Sequence, residues 1–254
     1  QPTYHRINDL LLAQKLPYQT IERTPQGINL QELERIFQSG KIKFFYTIPR
    51  FHYPLGHSYS RQDKEEILRL AQLYNVYIVE DDYLSDFDSR RELTFHYLDN
   101  SQRVIYIKSF STSLFPALRI TALLLPPQIQ TTFITYKSAV DYDSNLIMQK
   151  ALSLYIDSLM FEKNRLALLH LQEEEARKAQ TLLEQAQLPL SNYLTKDGVL
   201  LDLRSLSSVS TLKHSSLPLD FFEQSYLSSC PYQYAKLSYD NLEENVEKLK
   251  DYLK

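Results

Sequence analysis

The sequence predicts an α/β fold: a parallel sheet first, then a second, smaller α/β unit. Three observations predict it. Short apolar and aromatic runs alternate with segments of helical period through residue 125. Polar clusters stand at the carboxyl ends of those runs, where open parallel sheets bind their ligands. A long helical stretch then ends at Pro189, and strand and helix patterns resume after it.

The elements follow in order. Residues 1–4 read as a strand end and the loop after it. Within 28–37, Leu33, Ile36 and Phe37 keep helical spacing, and Gly40 can close that helix. Residues 44–48 are an apolar-aromatic run closed by Pro49, a strand signal. Ser60 offers an N-cap hydroxyl with Asp63 three residues on, and Ile67, Leu68, Ala71 and Leu73 supply an apolar face. Residues 76–79, 104–107 and 120–125 read as further strands, the last stopped by Pro126-Pro127. Residues 128–187 are helical almost throughout, with a mixed-charge solvated face between Glu162 and Glu184. The final unit reads as strand 199–203, helix 219–227, strand 235–239 and helix 242–253. Asn241 and Glu244 form a capping box for that last helix. The Ser-rich segment 205–216 reads as a loop. Domain boundaries follow: 1–150 in a large domain, 151–188 a helical connection, 189–254 a small domain.

Composition narrows the classes. The 254 residues carry a net charge of −3 with no basic block, so the chain lacks the clustered Lys and Arg of a phosphate-backbone grip. Cys230 is the single cysteine, which excludes an intrachain disulfide and fits a reducing, cytoplasmic setting. No apolar run approaches the ~20 residues of a membrane span, and the N-terminus does not read as a signal peptide.

Four segments carry the chemistry. Pro2-Thr3-Tyr4 opens the chain. Pro49-Arg50-Phe51-His52-Tyr53-Pro54-Leu55-Gly56 follows a strand. Its His52 reads as a turn residue, and no metal site is expected. Glu80-Asp81-Asp82-Tyr83-Leu84-Ser85-Asp86-Phe87 ends the next strand. Ser109-Phe110-Ser111-Thr112-Ser113-Leu114-Phe115-Pro116-Ala117-Leu118-Arg119 ends the one after.

Together these resemble the fold-type-I pyridoxal-phosphate (PLP) proteins, the aspartate aminotransferase family. The last segment is similar to S-F-S-K-x-L-x-P-G-L-R, in which the lysine binds PLP covalently. Thr112 stands at that lysine position and Ala117 at the glycine. A hydroxyl cannot form an imine, so the resemblance implies a fold without the amine nucleophile and no catalytic residue. Tyr53-Pro54-Leu55-Gly56 and the acidic segment resemble the MocR branch of GntR-type transcription regulators, which read H-Q-[FY]-P-[TL]-G and E-D-D-Y-D-S-E-F. Only 4 glycines agree with a decayed phosphate-binding site.

The resemblance implies roles residue by residue. Tyr4 would stack on the pyridine ring, and Tyr53 takes the place of an asparagine beside its phenolic oxygen. Asp81 would face the pyridine nitrogen, and Tyr83 the phenolic oxygen. Ser109, Ser111 and Arg119 would hold the phosphate. Alternatively, Arg119 caps a strand or pairs with an acid. Lys236, in Lys236-Leu237-Ser238-Tyr239, stands where the family has an arginine for the substrate carboxylate; it is equally read as a solvated lysine.

The implied protein is an effector-sensing and dimerisation domain with a vestigial PLP site. That site would bind PLP non-covalently or another anionic effector. DNA contact would come only through a winged helix-turn-helix preceding this chain. The large domain would lack its first stretch. The intact parent would be a homodimer, with Tyr4, Tyr53 and Tyr59 supplying amphipathic surface. Regulators of this type include ones controlling drug efflux. Two other readings stay open: a PLP enzyme, if Thr112 replaces a native lysine, and a ligand-free dimerisation scaffold.

Overall fold

The computed structural model describes residues 1–89, 92–141, 144–206, 212, 217–223 and 232–253. In chain order its elements are α1 (His5–Ala13), β1 (Arg23–Thr24), β2 (Gly27–Ile28), α2 (Leu30–Gln38), β3 (Phe44–Thr47), α3 (Arg61–Leu73), β4 (Tyr77–Asp81), α4 (Phe95–Leu98), β5 (Val104–Ser109) and β6 (Thr121–Leu124). Then come α5 (Pro127–Val140), α6 (Leu146–Asp157), α7 (Met160–Ala186), β7 (Asn192–Leu194), β8 (Gly198–Asp202), β9 (Leu219–Glu223), β10 (Tyr232–Ser238) and α8 (Leu242–Leu253). They fall into two compact units: Leu30–Arg50 with Tyr59–His170, and Gln1–Asn29 with Phe51–Ser58 and Leu171–Lys254. The division is therefore not continuous in sequence, because the first residues and the 51–58 turn group with the C-terminal unit.

In the unit from Leu30 to His170 the sheet order is β3-β4-β5-β6. β3, β4 and β5 pair in parallel, as the alternation of strand and helix predicts. β6 corrects that expectation: it runs antiparallel to β5, with Ser109 opposite Thr121. The reason lies in the connection. A parallel return needs a crossover of roughly a dozen residues or more, usually a helix. Residues 110–120 hold only a 3-10 turn at Pro116–Leu118.

α3 starts as its sequence dictates. Ser60 caps the Asp63 amide and the Asp63 carboxylate accepts from the Ser60 amide, a complete capping box. Its Ile67, Leu70 and Ala71 are buried, together with Leu33 and Phe37 of α2 and Ile78 of β4. Tyr59, read as interface surface, is instead 2% exposed, and its hydroxyl accepts from Thr47 Oγ1 at 3.2 Å. α5 through α7 occupy the long helical stretch, in three helices.

The second unit is built on an antiparallel sheet of order β7-β8-β10-β9. β8 is buried along its whole length. Alternation sends Val199 and Leu201 to a cluster with Ala179 and Leu183 of α7 and Val246 and Leu249 of α8. Leu200 turns to the opposite face and packs with Leu55 and Tyr234. The turn bearing Leu55 thus covers one face of this sheet. Gly56 makes that possible: its φ is 70°, and a Cβ there would lie 2.6 Å from Thr195 Cγ2.

Three further expectations are corrected here. The helix expected over 219–227 is strand β9 across 219–223; the rest of that segment lies outside the described residues. Its Leu219 and Phe221 pair with Leu237 and Ala235 of β10, so cross-strand pairing overrides local helical spacing. Asn241 has φ 52°, left-handed rather than the extended backbone of an N-cap, so the capping box with Glu244 does not form. Ile28 belongs to the β1–β2 hairpin, and helix α2 begins at Leu30. α1, β1, α4 and β7 have no counterpart in the expected elements. Cys230 and most of the Ser-rich segment lie outside the described residues.

Candidate functional site

The acidic run after β4 is sorted by strand alternation and by its partners. Glu80 points to the face covered by α4. Its carboxylate accepts from the Phe95 amide at 2.9 Å and the His96 amide at 2.8 Å, at the N-terminus of α4. Burial nevertheless pushes its pKa up to about 7 against those two bonds. Asp82 is wholly buried and is gripped by Arg50, whose Nε donates to Oδ1 at 2.9 Å and whose Nη2 bonds Oδ2. The Tyr106 hydroxyl adds a bond to Asp82 at 2.8 Å.

Arg50 also donates Nη1 to Asp88 at 2.7 Å and to the Glu92 carbonyl at 3.1 Å. Burial opposes its charge, but the bonds and charges of Asp82 and Asp88 hold its pKa above the ordinary value. Asp86 is matched to Lys108, whose Nζ lies 2.6 Å from Asp86 Oδ1 and 2.6 Å from Ser85 Oγ.

Asp81 differs from all of these. It is half-buried on the other face of β4, and its Oδ2 accepts from the neutral Tyr46 hydroxyl at 2.6 Å. Among the described residues no cation pairs with it. Burial raises its pKa, with Asp82 adding to the effect and the Tyr46 bond opposing it. Tyr83 follows it in the loop, half-buried.

The neighbouring strand β5 ends at Ser109. Ser109 Oγ accepts from the Ser111 amide at 3.2 Å, and both residues are half-buried. Thr112 is exposed. Arg119 is exposed too, at φ 52°, immediately after the 3-10 turn. No carboxylate among the described residues pairs with it, and it stands between that turn and the start of β6. Asp81, Tyr83, Ser109 and Ser111 therefore stand at or just beyond the carboxyl ends of two adjacent strands, with Thr112 and Arg119 in the connection that follows.

Tyr4, Tyr53 and Lys236 belong to the other unit. Tyr4 is 42% exposed and meets the Tyr53 ring edge-on at 6.3 Å. Burial raises the Tyr53 pKa, with Asp220 and Asp197 adding to it. Lys236 is not a solvated lysine. It is 8% exposed, its Nζ is 2.5 Å from Asp197 Oδ2, and it lies 5.2 Å from the Tyr53 ring centroid. His52 is buried within the turn, and burial, then Arg23 nearby, drives its pKa well down.

Sequence reading alone missed Tyr46, Arg50, Asp88, Tyr106 and Lys108 as parts of this arrangement. Arg50 lies within one motif and Asp88 directly follows another, but they lie 38 residues apart and no spacing rule links them. Lys108 precedes Ser109 directly, and its charge in a strand was the available signal.

No family model matches the chain. It is similar to solved aminotransferases: the kynurenine aminotransferase of Pyrococcus horikoshii, with TM-score 0.85 and 22% identity over 99% of this chain and 67% of that one, and the multiple substrate aminotransferase of Thermococcus profundus, with TM-score 0.86 and 20% identity over the same shares. The fold is therefore that of the fold-type-I PLP aminotransferases. Its homologues by sequence are of another kind. They are helix-turn-helix transcription regulators of the GntR/MocR type. The HTH-type transcriptional regulator YcxD of Bacillus subtilis is 45% identical over 65% of this chain and 37% of its own length. The probable rhizopine catabolism regulatory protein MocR of Rhizobium meliloti is 33% identical over 47% of this chain and 24% of its own. NorG of Staphylococcus aureus is 26% identical over 68% and 39%. The chain spans well under half the length of these relatives. Among the described residues no helix is long and apolar enough to cross a membrane.

Proposed function

We propose that this chain is the effector-sensing and dimerisation part of a MocR-type transcription regulator, and that it binds a small ligand through an aminotransferase-type site without a covalent link. One observation carries the reading. Glu80, Asp82, Asp86 and Asp88 are each matched to a cation or to helix amides, while among the described residues Asp81 faces only the neutral Tyr46 hydroxyl. A half-buried carboxylate left without a cation is matched by a ligand that brings an N–H donor.

The residues present fit PLP held non-covalently. Asp81 would accept from the ring nitrogen, and Tyr83 would donate to the phenolic oxygen. Ser109 and Ser111 hydroxyls and the Arg119 guanidinium would hold the phosphate. When bound, PLP supplies an electron-accepting ring and an aldehyde. Thr112 brings no amine to that aldehyde, so the site binds and orients rather than reacts. An aminotransferase activity would require a lysine at position 112.

The regulator reading extends to assembly. A homodimeric parent would carry two DNA-reading domains on one symmetric body, which sets the spacing of two half-sites. Control of transport or drug-efflux genes is part of this proposal.

Calorimetry with PLP tests the site. Losing a charge-assisted bond costs about 1.5–3 kcal/mol, so Arg119→Ala should weaken binding roughly ten-fold or more. An unchanged affinity in that variant would reject the phosphate assignment. Light scattering on the longer parent tests assembly, and a monomer at high concentration would reject it.

A further inference from the structure

Strand register brings Tyr46 to the face that bears Asp81. Tyr46 of β3 pairs with Val79 of β4, two residues before Asp81, and Asp81 pairs with Ile107 of β5. Paired residues share a face, so Tyr46, Val79, Asp81 and Ile107 all lie on one side of the sheet. The Tyr46 hydroxyl donates to Asp81 Oδ2 at 2.6 Å, which leaves Oδ1 with no hydrogen bond among the described residues.

We infer that Tyr46 is a positioning residue for the ligand site: by engaging Asp81 Oδ2 it holds the carboxylate charged and turned so that Oδ1 accepts from a ring N–H. This rests on the ligand-site reading above and adds to it a selectivity. A ligand ring that carries a protonated nitrogen is favoured over one of the same shape without it.

The physical argument has two parts. A phenol donating to a carboxylate stabilises the charged form, because the protonated acid is a poorer acceptor. It also removes the freedom of the carboxylate to rotate, so the second oxygen is aimed before the ligand arrives. Among the described residues no other group donates a hydrogen bond to Asp81. Burial and the charge of Asp82 both favour the protonated acid, and β5 offers only Ile107 opposite Asp81. Without Tyr46 the carboxyl group would take up a proton more readily and turn from acceptor to donor.

The experiment compares PLP with its 1-deaza analogue, in which carbon replaces the ring nitrogen. Both are titrated calorimetrically into the 254-residue chain and its Tyr46→Phe variant across a pH series. Melting curves establish that the variant is folded. The wild type should prefer PLP, and Tyr46→Phe should lose most of that preference, with PLP binding about ten-fold weaker and the analogue little changed. An unchanged preference and pH profile in Tyr46→Phe would overturn the inference while leaving the ligand site standing.

Failure of both compounds to bind the wild type would instead reject the ligand-site reading. The Tyr46 assignment is then judged by the carboxyl carbon resonance of Asp81. Its titration midpoint should rise in Tyr46→Phe, and a fixed midpoint would overturn the assignment.

Discussion

Arg50 and Asp82 form an almost wholly buried ion pair, with side chains 7% and 0% exposed, in which two guanidinium nitrogens reach the two carboxylate oxygens. The pair ties the chain just after β3 to the loop just after β4. That loop carries Tyr83 and leads on to Asp86 and Asp88. Arg50 also holds Asp88, so one side chain spans both ends of the loop. It fixes the backbone from which Asp81 and Tyr83 project.

Removing one partner of a buried pair strands the other charge, at a cost of about 3–5 kcal/mol. Arg50→Ala should therefore lose that much stability in urea unfolding. Arg50→Ala combined with Asp82→Asn should lose less than the sum of the two single changes, because Asp82 is then no longer a stranded charge and only Asp88 remains one. Additive losses would mean that the two residues act independently.

Stability should depend on the Glu80 proton in a defined window. The folded pKa, about 7, stands above the ordinary 4.5. Between these values the folded chain binds more protons than the unfolded one, so stability falls as pH rises. The contribution is fully present below pH 4.5 and is lost by about pH 7. The upward shift of Asp81 adds in the same sense. His52 opposes it, since a depressed histidine loses stability as pH falls through its ordinary value of 6.5. Glu80→Gln should flatten the fall in melting temperature between pH 5 and 7, measured against the wild type at each pH.

Gly56→Ala should destabilise the unit that holds the 51–58 turn. Alanine at a φ of 70° costs about 1–2 kcal/mol, and the new methyl would press on Thr195 at 2.6 Å. Thr195→Gly in the same background should recover the contact part and leave the backbone part. Chemical denaturation of Gly56→Ala, of Thr195→Gly alone, which also loses the Thr195 hydroxyl bonds to Asp197 and Gly198, and of the double variant separates the two contributions.

Borohydride treatment in the presence of PLP should leave no stoichiometric adduct in the pocket. The reason is the hydroxyl of Thr112 at the position where the resemblance places an amine. Intact-mass analysis followed by peptide mapping reads the outcome. A single adduct within unit residues such as Lys108 would show that another amine serves; scattered surface lysines would not count. Thr112→Lys should form the adduct if the pocket otherwise holds PLP.

Local rules carried far in this chain. The capping box at Ser60 and Asp63 formed as the four-residue motif prescribes, because both partners lie within one helical turn. The strands bearing the motifs were legible from apolar runs followed by polar clusters, and the order of motifs pointed to the fold that the structural comparisons bear out. Strand period alone also separates Glu80 from Asp81. What the sequence by itself could not determine is which charge meets which. Arg50 meets Asp82 across 32 positions and Tyr46 meets Asp81 across 35. Only the parallel register of β3 on β4 brings them together. The same holds for β6, antiparallel because its connection is too short for a crossover, and for β9, whose apolar spacing suits a helix until β10 offers a pairing edge. Side-chain pattern acts over a few residues, whereas hydrogen bonds and ion pairs are selected by proximity in space, and that proximity exists only once the sheets have formed.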